Sequence, residues 1–192
     1  NHKQIVLTSS TSQSIQKMDD TEAARLAISA LDAAITDVSS KKISAIVTAP
    51  VNKLRMKLAK PAFIGHTEYL AKAAHVKTPI MVFVSPEEIA VTPCKLQTRR
   101  ICFSLVTTHV SIKEIASLIK TSRILDTIIK TNEALCSYFN STNARIAVMS
   151  LNPHSGEGGL LGIEERTAIS PAIKKALAKG INCVGPISVD YI

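Results

Sequence analysis

The amino-acid sequence predicts an α/β fold with a largely parallel sheet flanked by helices. Short apolar runs alternate with amphipathic stretches from Ile80 to Val184, and no internal repeat or low-complexity tract interrupts them. Strands that alternate with helices favour parallel pairing, since each helix carries the chain back to the same end of the sheet. The length of 192 residues and the hydrophobic content of 46% suit a compact protein and exclude disorder as the overall description.

The N-terminal part of the sequence predicts a long helix, a strand and a basic segment. Small and apolar residues recur every three or four positions between 20 and 38, and acidic residues stand at the start, near the positive end of the helix dipole. The apolar run Ile43–Val47 predicts a strand. Segment 53–60 carries four basic residues and is either a solvated helix face or a surface that faces anions.

The later elements are predicted to alternate along the chain. The predicted strands are Ile80–Val84, Ile101–Val106, Ala144–Ser150 and Ile181–Val184. Three helices are predicted: one that starts at Ser111, one over Ser122–Phe139 and one over Ile163–Lys179. Ser111 and Glu114 fit a capping box, in which the two side chains satisfy free amides of the first helical turn. Segment 87–100 is expected to form a surface hairpin.

Composition and charge limit the classes of partner. Lys and Arg total 23 against 15 Asp and Glu, so the net charge of +8 favours anionic partners such as phosphorylated small molecules. Trp is absent and aromatic residues reach 4%, which leaves few stacking surfaces for nucleic acid. No apolar stretch approaches the roughly 18 residues of a membrane span, and the four cysteines include no C-x-x-C pair. We therefore expect a soluble, cytoplasmic protein that binds neither nucleic acid nor membranes.

Three histidines occupy positions where an α/β sheet binds ligands. His109 and His154 each follow a predicted strand, and His66 lies in a tight turn that leads into a helix. Ligands collect at the carboxyl ends of parallel strands, so these imidazoles are expected at one edge of the sheet. One such histidine alone is more often a surface or capping residue. Several together predict a divalent metal ion, for which neutral imidazole is a common ligand.

A glycine-rich segment, residues 152–162, follows the strand predicted at Ala144–Ser150. It holds four of the seven glycines of the chain, which predicts a loop with unusual backbone angles or a close approach to a ligand. The spacing does not match the dinucleotide-binding pattern G-x-G-x-x-G from Gly156, because Leu161 stands where the third glycine belongs.

A series of short motifs runs in order from residue 48 to residue 190. They are Thr48-Ala49-Pro50-Val51-Asn52-Lys53, Gly65-His66-Thr67-Glu68, Thr107-Thr108-His109-Val110, Asn152-Pro153-His154 through Gly159, Gly162-Ile163-Glu164-Glu165, and Gly185-Pro186 with Asp190. In order and spacing the series resembles the 4-hydroxythreonine-4-phosphate dehydrogenase family of vitamin B6 biosynthesis. The resemblance covers residues 43–190, and Asn152–Gly159 is its most specific part.

The resemblance implies a fold similar to that of isocitrate and isopropylmalate dehydrogenases and a homodimer with its active site at the subunit interface. It implies that NAD or NADP and a divalent metal ion, Zn, Mg or Co, serve the oxidation of 4-phosphooxy-L-threonine. Loss of carbon dioxide then gives 3-amino-2-oxopropyl phosphate. Dehydrogenation of threonate or erythronate 4-phosphate, and a non-catalytic basic module that binds anions, are the alternatives.

The resemblance also implies roles for individual residues. By motif, His109 and His154 match two of the three metal-binding histidines of the family. His66 and Thr67 match its substrate-binding pair.

Two further residues belong to the candidate site. Lys53 is expected to meet a phosphate group of the substrate or cofactor. Asp190 is the candidate catalytic residue, expected to orient a ligand or relay a proton. Its surroundings, Ser188-Val189-Asp190-Tyr191, depart from the Pro-Ala-Asp-Thr of the family, so a surface carboxylate at a strand end is equally compatible with the sequence.

Motifs that the family carries before and after this series are absent, including the one that holds its third metal-binding histidine. We therefore expect a fragment that lacks both ends of the family's chain. Residues 1–60 are expected to form part of a first, cofactor-side domain. Residues 61–192 are expected to form the central domain, which binds metal and substrate, makes the dimer interface and is incomplete at its C-terminus.

Overall fold

The computed structural model describes residues 18–85, 89–92, 95–99, 101–188 and 190. The chain divides into two compact units, unit 1 (Asn1–Pro79) and unit 2 (Ile80–Ile192). The regular elements described in unit 1 are the helices α1 (Asp20–Ser39), α2 (Lys53–Ala59) and α3 (His66–Ala73). Across the described residues of both units, no helix combines the length and apolar character that a membrane crossing requires.

Helix α1 confirms the predicted helix over residues 20–38. The Asp19 side chain accepts a hydrogen bond from the Glu22 backbone N–H at 2.7 Å and so caps the first turn. On the inner face of α1, Leu31 packs against Met56 of α2 and Phe63, which leads to α3. Phe63 is only 1% exposed, so this cluster forms the core of unit 1.

The strand predicted at Ile43–Val47 is wrong for the described structure. Residues 43–47 have no regular hydrogen-bonded structure, and Val47 is 97% exposed. A strand requires a neighbour to pair its backbone groups. Among residues 18–79 there is no strand to serve as that neighbour, so the apolar run has no partner strand within that segment.

Unit 2 contains six strands among its described residues, arranged as three two-stranded sheets. The antiparallel pairs are β1 (Met81–Val84) with β4 (Cys102–Leu105), and β2 (Ile89–Thr92) with β3 (Lys95–Arg99). The parallel pair is β5 (Ile146–Met149) with β6 (Cys183–Ile187).

These pairings correct the expectation of a largely parallel sheet, although the broader α/β class is confirmed. Between β2 and β3 lie only two residues, too few for the crossover that a parallel pair needs. The hairpin predicted within residues 87–100 is this β2–β3 pair. Because the hairpin, rather than a helix, connects β1 to β4, those two strands also run antiparallel. Of the three strand pairs described, only β5 and β6 are connected through helical segments, and only this pair is parallel.

The core of unit 2 lies between its longest helix and its last helix. The helices are α4 (Ile112–Leu118), α5 (Thr121–Phe139) and α6 (Ser170–Leu177), and a π-helical turn, Glu165–Ile169, runs directly into α6. Ile124 and Ile128 of α5 pack with Ala172 and Ala176, which are fully buried on one face of α6. Ile146 of β5 packs against the same cluster, which holds the parallel strand pair in place.

Candidate active site

The loop that follows β5 has an unusual backbone. Within Pro153–Gly159, the residues with positive φ form an unbroken run: His154 (50°), Ser155 (55°), Gly156 (79°), Glu157 (44°), Gly158 (67°) and Gly159 (111°), of which the first five are left-handed. For a residue with a β-carbon, this left-handed conformation costs roughly 1–2 kcal/mol. Strain of this kind persists only where surrounding contacts enforce it, and it concentrates at functional sites. We call residues 152–162 the glycine loop.

A buried carboxylate, Glu165, holds the start of the glycine loop. Its Oε1 accepts the backbone N–H groups of Leu151 at 2.9 Å and Asn152 at 2.7 Å, and its Oε2 accepts the Asn152 side-chain Nδ2–H at 3.0 Å. Glu165 is 5% exposed. Burial acts to raise the pKa of Glu165, but the hydrogen bonds from Asn152 and Leu151 outweigh it and hold that pKa below its ordinary value. The group is therefore an anion satisfied by the loop backbone.

Glu165 is not among the site residues predicted individually from the sequence. The signal that could have identified it is an acidic residue in the first turn of the helical segment that follows a glycine-rich loop. An acid there faces free amides of the preceding loop or of its own helix. Two adjacent glutamates, Glu164 and Glu165, gave no basis for choosing between them.

The structure brings two of the predicted site residues together, His154 and Asp190. Nδ1 of His154 lies 3.0 Å from Oδ2 of Asp190. Because β5 and β6 are parallel neighbours, the residues that follow them reach the same edge of the pair. The buried Ser188 hydroxyl donates to the same Oδ2 at 2.5 Å. This hydrogen bond lowers the pKa of Asp190, burial opposes the shift, and the charge of a protonated His154 adds to the lowering.

His109 follows β4, is exposed and has a left-handed φ of 54°. In the part of the chain that the structure describes, no three His, Cys, Asp or Glu side chains form a group that could hold a metal ion. The described residues thus do not form a complete metal site.

The chemistry of His154 nevertheless fits a ligand of an incomplete site. A carboxylate at Nδ1 fixes the tautomer and leaves Nε2 as the free donor atom, which is the usual arrangement of a metal-binding histidine. A third ligand would have to come from outside the described residues.

In unit 1, the structure brings Lys53 to the turn that precedes α3. A β-carbon built on Gly65 would lie 3.5 Å from Nζ of Lys53. Gly65 is the N-cap of α3 and supplies no side-chain hydrogen bond, so the first amides of α3, from His66 onward, have no side-chain cap. His66 is half-buried with its ring edge-on to Phe63, and Thr67 is exposed. Oε2 of Glu68 lies nearer still, 2.7 Å from the same β-carbon position. An anion such as phosphate would therefore reach Lys53 and the helix amides in competition with that carboxylate.

A groove of about 580 Å³ beside α3 is lined by other residues of unit 1. Its polar lining includes Tyr69, whose hydroxyl donates to Asp32 at 2.6 Å and accepts from Lys60 Nζ at 2.8 Å. Lys53, His66 and Thr67 do not line it. We therefore treat the strand exits of unit 2 and the start of α3 in unit 1 as two separate candidate regions.

Comparisons with known proteins bear on what this arrangement does. A 4-hydroxythreonine-4-phosphate dehydrogenase of Bacteroides thetaiotaomicron is 37% identical over 171 residues, which are 89% of this chain and 44% of that protein. A protein of Halalkalibacterium halodurans, provisionally named D-threonate 4-phosphate dehydrogenase, is 35% identical over 83% of this chain and 43% of its own length.

A solved structure agrees with these relatives. The crystal structure of 4-hydroxythreonine-4-phosphate dehydrogenase from Klebsiella pneumoniae matches with a TM-score of 0.76 and 30% identity, over 90% of this chain and 49% of that one. The chain thus spans about half the length of the relatives it matches. The model of the family described as "Pyridoxal phosphate biosynthetic protein PdxA" matches residues 2–192. The resemblance inferred from the motifs is therefore confirmed, and the chain belongs to the PdxA family.

Proposed function

We propose that this chain is part of an NAD- or NADP-dependent dehydrogenase that oxidises 4-phosphooxy-L-threonine with the help of a divalent metal ion. A bound nicotinamide would accept a hydride from the alcohol carbon, and the hydroxyl proton would pass to solvent. The resulting β-keto acid would lose carbon dioxide and take up one proton at carbon to give 3-amino-2-oxopropyl phosphate. Membership of the PdxA family and the names of its relatives support this reaction.

The observation that carries the proposal is the contact between His154 and Asp190 at the exit of the parallel strands. In this proposal, Asp190 accepts the Nδ1–H of His154 and so directs Nε2 toward the metal position. His109 and His154 would both be metal ligands, and the remaining ligand would come from outside the described residues. A bound divalent cation would lower the pKa of the substrate hydroxyl and stabilise negative charge that develops on oxygen.

The substrate's phosphate end is proposed to bind at the start of α3. Lys53 supplies a cation beside Gly65, and the uncapped first turn supplies amide donors. His66 and Thr67 would contact the substrate there. No residue is assigned to the nicotinamide, because the glycine loop lacks the third glycine of the dinucleotide-binding pattern at Leu161.

The remaining parts of the proposal concern the complete protein. We propose an isocitrate dehydrogenase-like fold, a cytoplasmic location and a homodimer. An apolar face of unit 2 supports an interface, since Phe83 and Phe103 pair across β1 and β4 and each is 57% exposed. The division into a cofactor-side domain (residues 1–60) and a central domain (residues 61–192) stays a prediction about function, distinct from the two compact units.

A second candidate substrate is D-threonate 4-phosphate, which the name of the Halalkalibacterium halodurans relative favours. Erythronate 4-phosphate is a third. The candidates share a phosphate and a secondary alcohol. The two sugar acids carry a hydroxyl where 4-phosphooxy-L-threonine carries its amino group, and they differ from each other in configuration. The residues described at the start of α3 do not discriminate between them.

The test is an assay of NAD and NADP reduction by the complete gene product with each of the three phosphorylated acids, with and without a metal chelator. We expect one acid to be turned over, and chelation to abolish its turnover. Absence of reduction with all three would contradict the proposal. If the protein instead retained nucleic acid in a salt-sensitive, metal-independent manner, the alternative of a basic anion-binding module would be favoured.

A further inference from the structure

The buried carboxylate of Glu165 has no part in the function proposed above. A buried carboxylate is costly unless it is hydrogen-bonded, and Glu165 is satisfied by the segment that leads to His154. Its two backbone partners, Leu151 and Asn152, are the last residues before Pro153 and His154. The carboxylate therefore determines where the chain leaves β5 and enters the left-handed run.

The glycine loop wraps closely around this carboxylate. A β-carbon on Gly156 would lie 2.9 Å from Glu165 Oε2 and 2.9 Å from the carbonyl oxygen of Gly162. A β-carbon on Gly162 would collide with Asn152 Nδ2. Asn152 also donates to Glu164 at 2.9 Å, so its amide is held on two sides. Two of the loop's glycines are thus required by close approach to one polar network.

We propose that Glu165 is a positioning residue for His154. By holding the Leu151 and Asn152 amides, it keeps the left-handed run in the conformation that places Nδ1 of His154 against Asp190. It touches neither substrate nor cofactor, and it acts only through His154. The inference rests on the proposed function in one respect, that His154 is a metal ligand.

The chemistry of the network requires a carboxylate at position 165. Three N–H groups point at its two oxygens, and a carboxylate is an acceptor only. Glutamine has nearly the same volume, but its amide group would turn a donor toward the Asn152 amide or toward the backbone N–H groups. Glu165→Gln therefore preserves packing while it breaks part of the network.

The experiment compares Glu165→Gln with Glu133→Gln in the complete gene product. Glu133 is an exposed residue of α5, and its replacement removes the same charge. Three properties are measured: the melting temperature, Zn²⁺ affinity by calorimetric titration, and the steady-state kcat and KM. We expect Glu165→Gln to weaken Zn²⁺ binding and lower kcat by about 10–100-fold, as for other residues that orient a metal ligand. The KM for the nicotinamide cofactor should be unchanged, and Glu133→Gln should match the unmodified protein.

A metal-free measurement separates this inference from the proposed function. The ring nitrogen chemical shifts of His154 report its tautomer, which Asp190 holds with the proton on Nδ1. We expect a single tautomer in the unmodified protein and a mixture in Glu165→Gln. If the unmodified protein neither binds Zn²⁺ nor turns over substrate, the proposed function fails, and the tautomer still tests the positioning role.

An unchanged tautomer in Glu165→Gln, with Zn²⁺ affinity and kcat within about twofold of the unmodified protein, would overturn the inference. Should Glu165→Gln fail to fold, Asn152→Ala replaces it. That variant removes one of the three donors and leaves both backbone N–H groups, so the same changes are expected at smaller size. An unaltered His154 tautomer in a folded Asn152→Ala protein would then overturn the inference.

Discussion

Alanine substitutions at Gly156 and Gly158 separate two reasons why the glycine loop requires glycine: the left-handed backbone conformation and the close approach of neighbouring atoms. Both glycines have left-handed backbone angles, φ of 79° and 67°. Alanine in that conformation destabilises the folded state by about 1–2 kcal/mol. Alanine also restricts the unfolded chain, which offsets about 0.4–1 kcal/mol of that loss. Nothing lies within 4 Å of a β-carbon on Gly158. Gly158→Ala should therefore reduce the free energy of unfolding by about 1 kcal/mol.

Gly156→Ala meets the same backbone cost and a steric one. Its β-carbon would lie 2.9 Å from both Glu165 Oε2 and the Gly162 carbonyl oxygen. The carboxylate cannot withdraw without losing its hydrogen bonds to the loop, and the carbonyl belongs to the backbone. Inserting a methyl group into such a packed site costs about 1–3 kcal/mol more. The total loss should be about 2–4 kcal/mol.

Urea unfolding of both variants and the unmodified protein measures the difference. We expect the midpoint for Gly156→Ala to lie clearly below that for Gly158→Ala, with similar dependence on urea concentration. Equal losses of stability would refute the reasoning, because they would mean that the contact between the loop and Glu165 contributes nothing beyond the backbone angle.

Three further predictions follow from other contacts. Lys53→Met should raise the KM for the phosphorylated substrate about tenfold or more in steady-state kinetics, since a charge-assisted hydrogen bond contributes about 1.5–3 kcal/mol, while Lys57→Met on the same helix should leave KM unchanged. The pKa of Asp190 is below its ordinary 3.8, so its stabilising contribution is complete above that pH and lost as the pH falls through the folded value. In thermal melts between pH 6 and pH 3, the melting temperature of Asp190→Asn should therefore fall less on acidification than that of the unmodified protein. Identical pH profiles would contradict the role of the Ser188 hydrogen bond. Ser111→Ala should lower the free energy of unfolding by about 1 kcal/mol through loss of the α4 cap, and an unchanged melting temperature would argue against it.

Local signals in the sequence were sufficient to predict where the helices lie. The acidic start and three-to-four spacing of α1 predicted its bounds to within a residue at its C-terminal end. The Ser111–Glu114 capping box is present, with the two side chains 2.6 Å apart. Such signals act over a few residues, so they survive in any surroundings.

Pairing between distant residues was predicted less well. Periodicity identifies an apolar run but not its neighbour, which is why Ile43–Val47 was assigned to a strand that the described structure lacks. The direction of β1 against β4 depended on the hairpin between them, a feature that the sequence suggested without indicating its consequence. The meeting of His154 and Asp190 was foreseeable only in so far as β5 and β6 are parallel. The role of Glu165 depends on three donors that fold onto it, and no spacing rule encodes that.

The left-handed backbone angles from His154 to Gly158 have a consequence for synthetic chemistry. Mirror-image amino acids favour this conformation for the same steric reason that ordinary residues avoid it. A semisynthetic protein with D-alanine at Gly158 would thus restrict the unfolded chain without the backbone cost that the L-residue meets in the folded loop. D-alanine at position 158 should therefore stabilise the folded protein, whereas L-alanine should destabilise it. The difference in stability between the two proteins would report the backbone conformation of this turn.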